Sequence, residues 1–268
     1  MTALPPTQHL DRPDGRLAFD DTGGDGPLIV CVPGLGDLRS EHRFLRPLLV
    51  DAGWRVVTMD LRGHGESSVE WPSYAPEAVG DDIVALLAHL DGGPAVVLGE
   101  SMAAASAVWA AAEAPEAVRA IVLTGPFARQ QPPRFVVDKV MPRLITPRLW
   151  RMYLAKLFPG TPPADLDAHL DAVRANLAEP GRGRALRRML AAPKTACEAR
   201  MPEVAVPALV VMGTADPDFD DPAAEAAAVA AGVRGEVLLV DGAGHYPHVE
   251  QPERVAAAIT DLVAGGGR

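Results

Sequence analysis

The sequence predicts an α/β fold: a mostly parallel sheet with an antiparallel hairpin at its N-terminal edge and a helical cap inserted after the strand at 120–124. Three observations lead there. Short apolar runs of strand length recur along the chain. Helix-length stretches with apolar residues three and four apart lie between most of them, and the alternation breaks once, over roughly 80 residues.

Taken in order, "TQHLDR" and "GRLAFDD" flank the turn-like "PDG" and form the hairpin. The runs "PLIVCV" (27–32), "RVVTM" (55–59), "AVVL" (95–98), "AIVLT" (120–124), "ALVVM" (208–212) and "EVLLV" (236–240) follow. Unbroken apolar strands are those covered on both faces, as in parallel sheets flanked by helices such as "APEAVGDDIVALLAHL" and "QPERVAAAITDLVA". From Phe127 to about Val206 no strand pattern occurs, and prolines at 132, 133, 142, 147, 159, 162, 163, 180 and 193 divide the segment into short helices. The expected organisation is therefore a core of residues 1–126 and 207–268 with a helical cap at 127–206.

A chain of 268 residues is long enough for one large core, and a net charge of −10 disfavours nucleic acid and anionic lipid as partners. Neither a leader-like N-terminus nor a membrane-length apolar run is visible, so the protein is expected to be soluble and cytoplasmic. Cys31 and Cys197 have no metal or redox spacing and read as small hydrophobes. The closing "AGGGR" reads as a frayed tail. Charge is uneven: residues 127–207 hold 14 Lys and Arg against 7 Asp and Glu. A solvated helix face accounts for this; the sharper alternative is guidance of an anionic substrate.

Ser101, in "VLGESMAAA", falls where an apolar strand meets an alanine-rich helix, at the carboxyl edge where parallel sheets bind ligands. Gly99 and Ala103, two residues either side, allow a turn tight enough to project its oxygen. A G-x-S-x-A pattern alone also arises by chance, and a serine needs a base. His245 follows the last strand, and Asp216 follows the strand before it; an imidazole requires such an acceptor to fix its tautomer. Asp218, Asp220 and Asp221 compete with Asp216 in "DPDFDD", and His248 competes with His245.

Four stretches, "VPGLGD" (32–37), "DLRGHGES" (60–67), "GESMA" (99–103) and "GTADPDF...GAGHYPHVEQPE" (213–253), together resemble the α/β-hydrolase superfamily. The likeness covers nearly the whole chain outside the insertion, and its branch is the lidded one that includes esterases, lactonases, C–C bond hydrolases, epoxide hydrolases, haloalkane dehalogenases and cofactor-free haloperoxidases. The resemblance implies the α/β-hydrolase fold, with Ser101 as nucleophile, His245 as general base and then acid, and Asp216 as its orienting carboxylate. It further implies an oxyanion hole from the backbone N–H groups of Leu35 and Met102, and no cofactor or metal. A serine in the elbow separates this chain from the dehalogenases and epoxide hydrolases, which carry an aspartate there. Pro33 stands where the loop commonly has histidine, leaving its bracing to other residues, and Ala103 replaces the usual glycine, which should shift the following helix slightly outward.

His64 reads as structural, and Glu100 as a surface-facing elbow position. In "RLWRMYLAKLF", Leu149, Met152, Leu157 and Phe158 are expected to form a buried seam, with Phe127, Trp150 and Tyr153 as pocket lining. The resulting expectation is a cofactor-independent serine hydrolase of an ester or lactone, with thioester or amide second, acting on a small to medium organic molecule. The alternatives are a C–C bond hydrolase or perhydrolase of the same fold, an acyltransferase, and a hydrolase-like protein that only binds a small ligand.

Overall fold

The computed structural model describes residues 5–130 and 145–265. Pro132, Pro133 and Pro142 of the expected cap, and the last three residues of the glycine-rich tail, lie outside the described residues. Eight strands form one sheet: β1 (Gln8–Arg12), β2 (Gly15–Asp21), β3 (Leu28–Val32), β4 (Arg55–Met59), β5 (Ala95–Glu100), β6 (Val118–Thr124), β7 (Ala208–Gly213) and β8 (Glu236–Val240). Their order is β1-β2-β4-β3-β5-β6-β7-β8. The first two strands make the antiparallel hairpin, closing at the Arg12–Gly15 pair, and β2 also runs antiparallel to β4. All other neighbours are parallel.

The helices among the described residues are α1 (Leu45–Asp51), α2 (Pro76–Leu90), α3 (Met102–Glu113), α4 (Pro147–Lys156), α5 (Leu166–Leu177), α6 (Arg182–Leu190), α7 (Thr195–Ala199), α8 (Pro222–Val233), α9 (Pro247–Glu250) and α10 (Pro252–Gly265). Because successive strand residues point to opposite faces, the apolar runs divide into two cores. Val30, Val32, Val97, Ile121, Val210 and Met212 pack with residues of α2, α3 and α8. Ile29, Cys31, Val96, Leu98, Val122 and Val211 pack with Leu45, Leu49, Val255 and Ile259 on the other face. A fully buried aliphatic side chain contributes about 1.5–3 kcal/mol, so the continuous strands are the main source of stability.

Between β6 and β7, helices α4 to α6 build a third core, with Trp150, Leu154, Leu157, Leu170, Val173, Leu177 and Leu186 meeting Tyr246 and Val249. The Thr146 hydroxyl accepts the Leu149 N–H and, with Pro147, starts α4. The expected seam is corrected here: Leu149 and Met152 are exposed, and the buried stripe is Trp150, Leu154 and Leu157. Helical spacing fixes the period of a stripe and leaves its phase open; the indole, with the most apolar area, faces inward.

The charge imbalance has a structural outlet. Arg129 pairs with Glu225, Arg184 with Glu70 and Arg200 with Glu113, each joining the segment between β6 and β7 to an acid outside it. Such exposed pairs contribute about 0–1 kcal/mol each, enough to orient a surface already packed by apolar contacts. Among the described residues, no helix is long and apolar enough to cross a membrane.

Candidate active site

β5 continues two residues past the apolar run, through Gly99 and Glu100, before the chain turns into α3. Ser101 occupies that turn with φ 53° and ψ −117°, a combination rarely adopted by a residue with a side chain and costing on the order of 1–3 kcal/mol. The turn is held by Ser101 N–H to the Thr124 carbonyl (2.9 Å), and by Phe127 N–H to the Ser101 carbonyl (3.0 Å). A Cβ at position 99 would lie 2.3 Å from the Ala103 carbonyl oxygen, so only glycine lets α3 start this close to the strand.

His245 follows β8 and is buried, with Nδ1 2.7 Å from Asp216 Oδ2. Geometry separates the four aspartates. Asp218 Oδ2 is 3.9 Å from the same nitrogen and accepts the Tyr153 hydroxyl at 2.6 Å. Asp221 caps α8 by accepting the Ala224 N–H, and Asp220 lines the pocket wall. Burial opposes charge on His245, but Asp216, through charge and hydrogen bond, and Asp218 beyond it raise the imidazole above its ordinary value. Burial and Asp218 likewise raise the Tyr153 phenol, which stays a donor.

Glu100 requires a correction. It is fully buried rather than surface-facing, because β5 extends through it in register with Thr124 and places its carboxyl beneath the loop at 33–37. A Cβ on Gly34 would lie 1.8 Å from Glu100 Oε2. Glu100 Oε1 stands 3.1 Å from His245 Nε2, while neither of its oxygens has a well-aligned hydrogen bond among the described residues. Burial first, then the nearby Glu41, Asp37 and Asp216, hold this carboxyl well above the usual range. No hydrogen bond joins Ser101 Oγ to His245 Nε2 among the described residues. Contacts of this kind often tighten only when substrate is bound.

Ser101, His245, Leu35 and Met102 all line one pocket of about 930 Å³. The Leu35 and Met102 N–H groups donate to no other group among the described residues. Phe127, Trp150 and Tyr153 line the same pocket. The Phe127 ring lies 4.7 Å from that of Phe219 and 5.8 Å from His245, and the Trp150 indole N–H donates to the Gly36 carbonyl at 3.2 Å. His245 N–H donates to the Leu157 carbonyl (3.0 Å), tying the segment between β6 and β7 to the histidine itself.

Among the described residues, His245 is the one histidine that lines this pocket. His64 is buried with Nδ1 3.0 Å from the Arg62 carbonyl, and burial lowers it to about 4. His248 Nε2 faces Glu41 Oε1 at 2.8 Å, and burial lowers it to about 3. Glu41, His42 and His248 bring ligand-type atoms within 4.8 Å of one another, but both Glu41 oxygens are already engaged, by His248 and by the Gly34 N–H. Glu41 went unread in the sequence: it sits in a one-turn helix at Arg39–Arg43, too short for any periodicity to mark it as buried.

The model of a family described as "Alpha/beta hydrolase family" matches residues 29–258. A pimeloyl-[acyl-carrier protein] methyl ester esterase of Neisseria meningitidis is 30% identical over 258 residues, covering 90% of this chain and 94% of that protein. Bifunctional epoxide hydrolase 2 of Sus scrofa is 30% identical over 182 residues, covering 63% of this chain; the match spans only 32% of that longer protein. Among solved structures, a thermophilic esterase from Thermogutta terrifontis matches with a TM-score of 0.78 and 27% identity, covering 97% of this chain and all of that one.

Proposed function

We propose, from the premise that the chain belongs to the alpha/beta hydrolase family, that this hydrolase cleaves an ester or lactone through an acyl-enzyme on Ser101. The observation that carries the reading is the buried His245–Asp216 pair at 2.7 Å, opening on the same pocket as a serine held at φ 53°. Esterase relatives support the ester over other bonds.

In this reading Asp216 fixes the His245 tautomer with Nδ1–H inward and Nε2 free to act as base. Substrate binding draws Nε2 from beside Glu100 onto Ser101 Oγ, and Nε2 takes the hydroxyl proton as the oxygen attacks the carbonyl carbon. The Leu35 and Met102 N–H groups receive the tetrahedral oxyanion, each donor contributing about 3–4 kcal/mol. His245 then protonates the leaving alcohol, and a water deprotonated by the same ring releases the acid.

The expected cap at 127–206, whose described helices α4 to α7 lie at 147–199, acts as a lid over the pocket that Ser101 lines. Lining by Leu35, Phe127, Ile145, Trp150 and Leu154 suits a small to medium organic acyl group. Arg129 and Lys194 on the wall are matched by Asp218, Asp220, Asp221 and Glu225, which favours an uncharged acyl group over the anionic alternative. The free, buried thiols of Cys31 and Cys197 accord with a cytoplasmic setting.

Labelling with a fluorophosphonate probe tests the nucleophile: wild type should label and Ser101→Ala should not. A panel of p-nitrophenyl esters of rising chain length, with lactones alongside, tests the bond. Labelling without turnover across the whole panel would overturn the ester and lactone assignment.

A further inference from the structure

Pro33 has no N–H to anchor the loop that would carry the Leu35 oxyanion donor, yet the loop is held by both backbone polar groups of Gly34. Gly34 N–H donates to Glu41 Oε2 at 2.9 Å, and the Gly34 carbonyl accepts the Asp37 N–H at 3.1 Å. In a trans peptide the carbonyl and the following N–H point in opposite directions. Turning the Gly34 carbonyl toward Asp37 therefore turns the Leu35 N–H away from Asp37, and Leu35 lines the pocket.

The other Glu41 oxygen, Oε1, lies 2.8 Å from His248 Nε2. His248 sits on α9, three residues after His245, and both residues of the pair are at most 1% exposed. One carboxyl group thus spans the loop bearing an oxyanion donor and the loop bearing the base. We propose that Glu41 and His248 form a positioning pair that holds the Leu35 N–H and the His245 ring in register across the pocket floor. The role rests on the serine hydrolase reading, because it assigns a purpose to the Leu35 donor.

Burial pushes Glu41 up and His248 down, so it disfavours charge on both partners. His42 packs 5.3 Å from His248, ring centre to ring centre, and completes the enclosure.

The test compares Glu41→Ala and His248→Ala with the conservative Glu41→Gln and His248→Gln. The alanine variants should lose about 10- to 100-fold in kcat, less than the 10²- to 10³-fold typical of deleting a donor outright. KM should stay within about twofold. Affinity for a trifluoromethyl ketone, which forms an oxyanion on serine, should fall by the same factor as kcat, while that for the corresponding alcohol should not. The glutamine variants should recover to within about threefold, since an amide can still meet Gly34 or Glu41. In ¹⁵N-glycine-labelled protein, the Gly34 amide should shift and exchange faster in Glu41→Ala. Should an alanine variant not fold, Glu41→Met, of similar volume and without an acceptor, gives the same readings. Wild type that labels with fluorophosphonate, beside folded variants with unchanged kcat or an unmoved Gly34 amide, would overturn this role alone. Wild type that fails to label removes the serine reading and this role together.

Discussion

Two histidines three residues apart face a carboxyl group at nearly the same distance, His245 at 2.7 Å from Asp216 and His248 at 2.8 Å from Glu41, and their basicities move in opposite directions. Distance to a carboxyl group therefore does not make a base. His245 is faced by Asp216 and Asp218 together, and their fields outweigh burial. For His248 burial prevails, helped by repulsion from His245 and Arg43. Its partner Glu41 is itself forced toward the neutral acid by burial and by Asp37. Charge is favoured on His245 and disfavoured on both members of the other pair, which in the proposed mechanism suits a proton shuttle and a brace respectively.

The sharpest way to break the comparison is to remove each ring. His245→Ala and Ser101→Ala should each lower kcat by on the order of 10⁶-fold in an ester assay, far beyond the loss expected for His248→Ala; equal losses would end the distinction. Next comes the acceptor: Asp216→Asn should cost about 10⁴-fold by stabilising the wrong tautomer, whereas Asp218→Asn, one step further from Nδ1, should cost about tenfold or less.

The pH–rate profile separates the two rings further. The base must be unprotonated, and the His245 pKa lies above the ordinary 6.5, so kcat/KM should fall on the acid side through a midpoint above pH 6.5. Asp216→Asn should move that midpoint down, and His248→Gln should leave it in place. Smallest is the stability effect. His64 and His248, with folded values of about 4 and about 3, take up protons more readily when unfolded. Their contribution is present above pH 6.5 and lost as pH falls toward those values. The raised His245 acts oppositely, stabilising below pH 6.5 and losing effect as pH rises through its folded value. Between pH 7 and 4 the melting temperature of wild type should therefore fall relative to that of His248→Gln.

Much of the fold was legible because parallel strands leave unbroken apolar runs, and "RVVTM" and "EVLLV" coincide with the buried β4 and the largely exposed edge strand β8. The carboxyl-edge positions of Ser101, Asp216 and His245 were legible for a related reason: each follows such a run. Less accessible were features set by direction and phase. Glu100 looked exposed because the polar residues "GE" end the apolar run, although the strand does not stop there. Leu149 and Met152 share the helical period of the buried stripe and miss its phase. Glu41 meets His248 across 207 residues of chain, a contact that no local pattern encodes.

The bond from the His245 N–H to the Leu157 carbonyl has a bearing on protein engineering. Exchanging this segment for a relative's, to borrow its selectivity, would also replace a backbone contact of His245, the base of the proposed mechanism. Chimeras with junctions after position 157 should keep turnover better than those that swap that residue's backbone along with the rest.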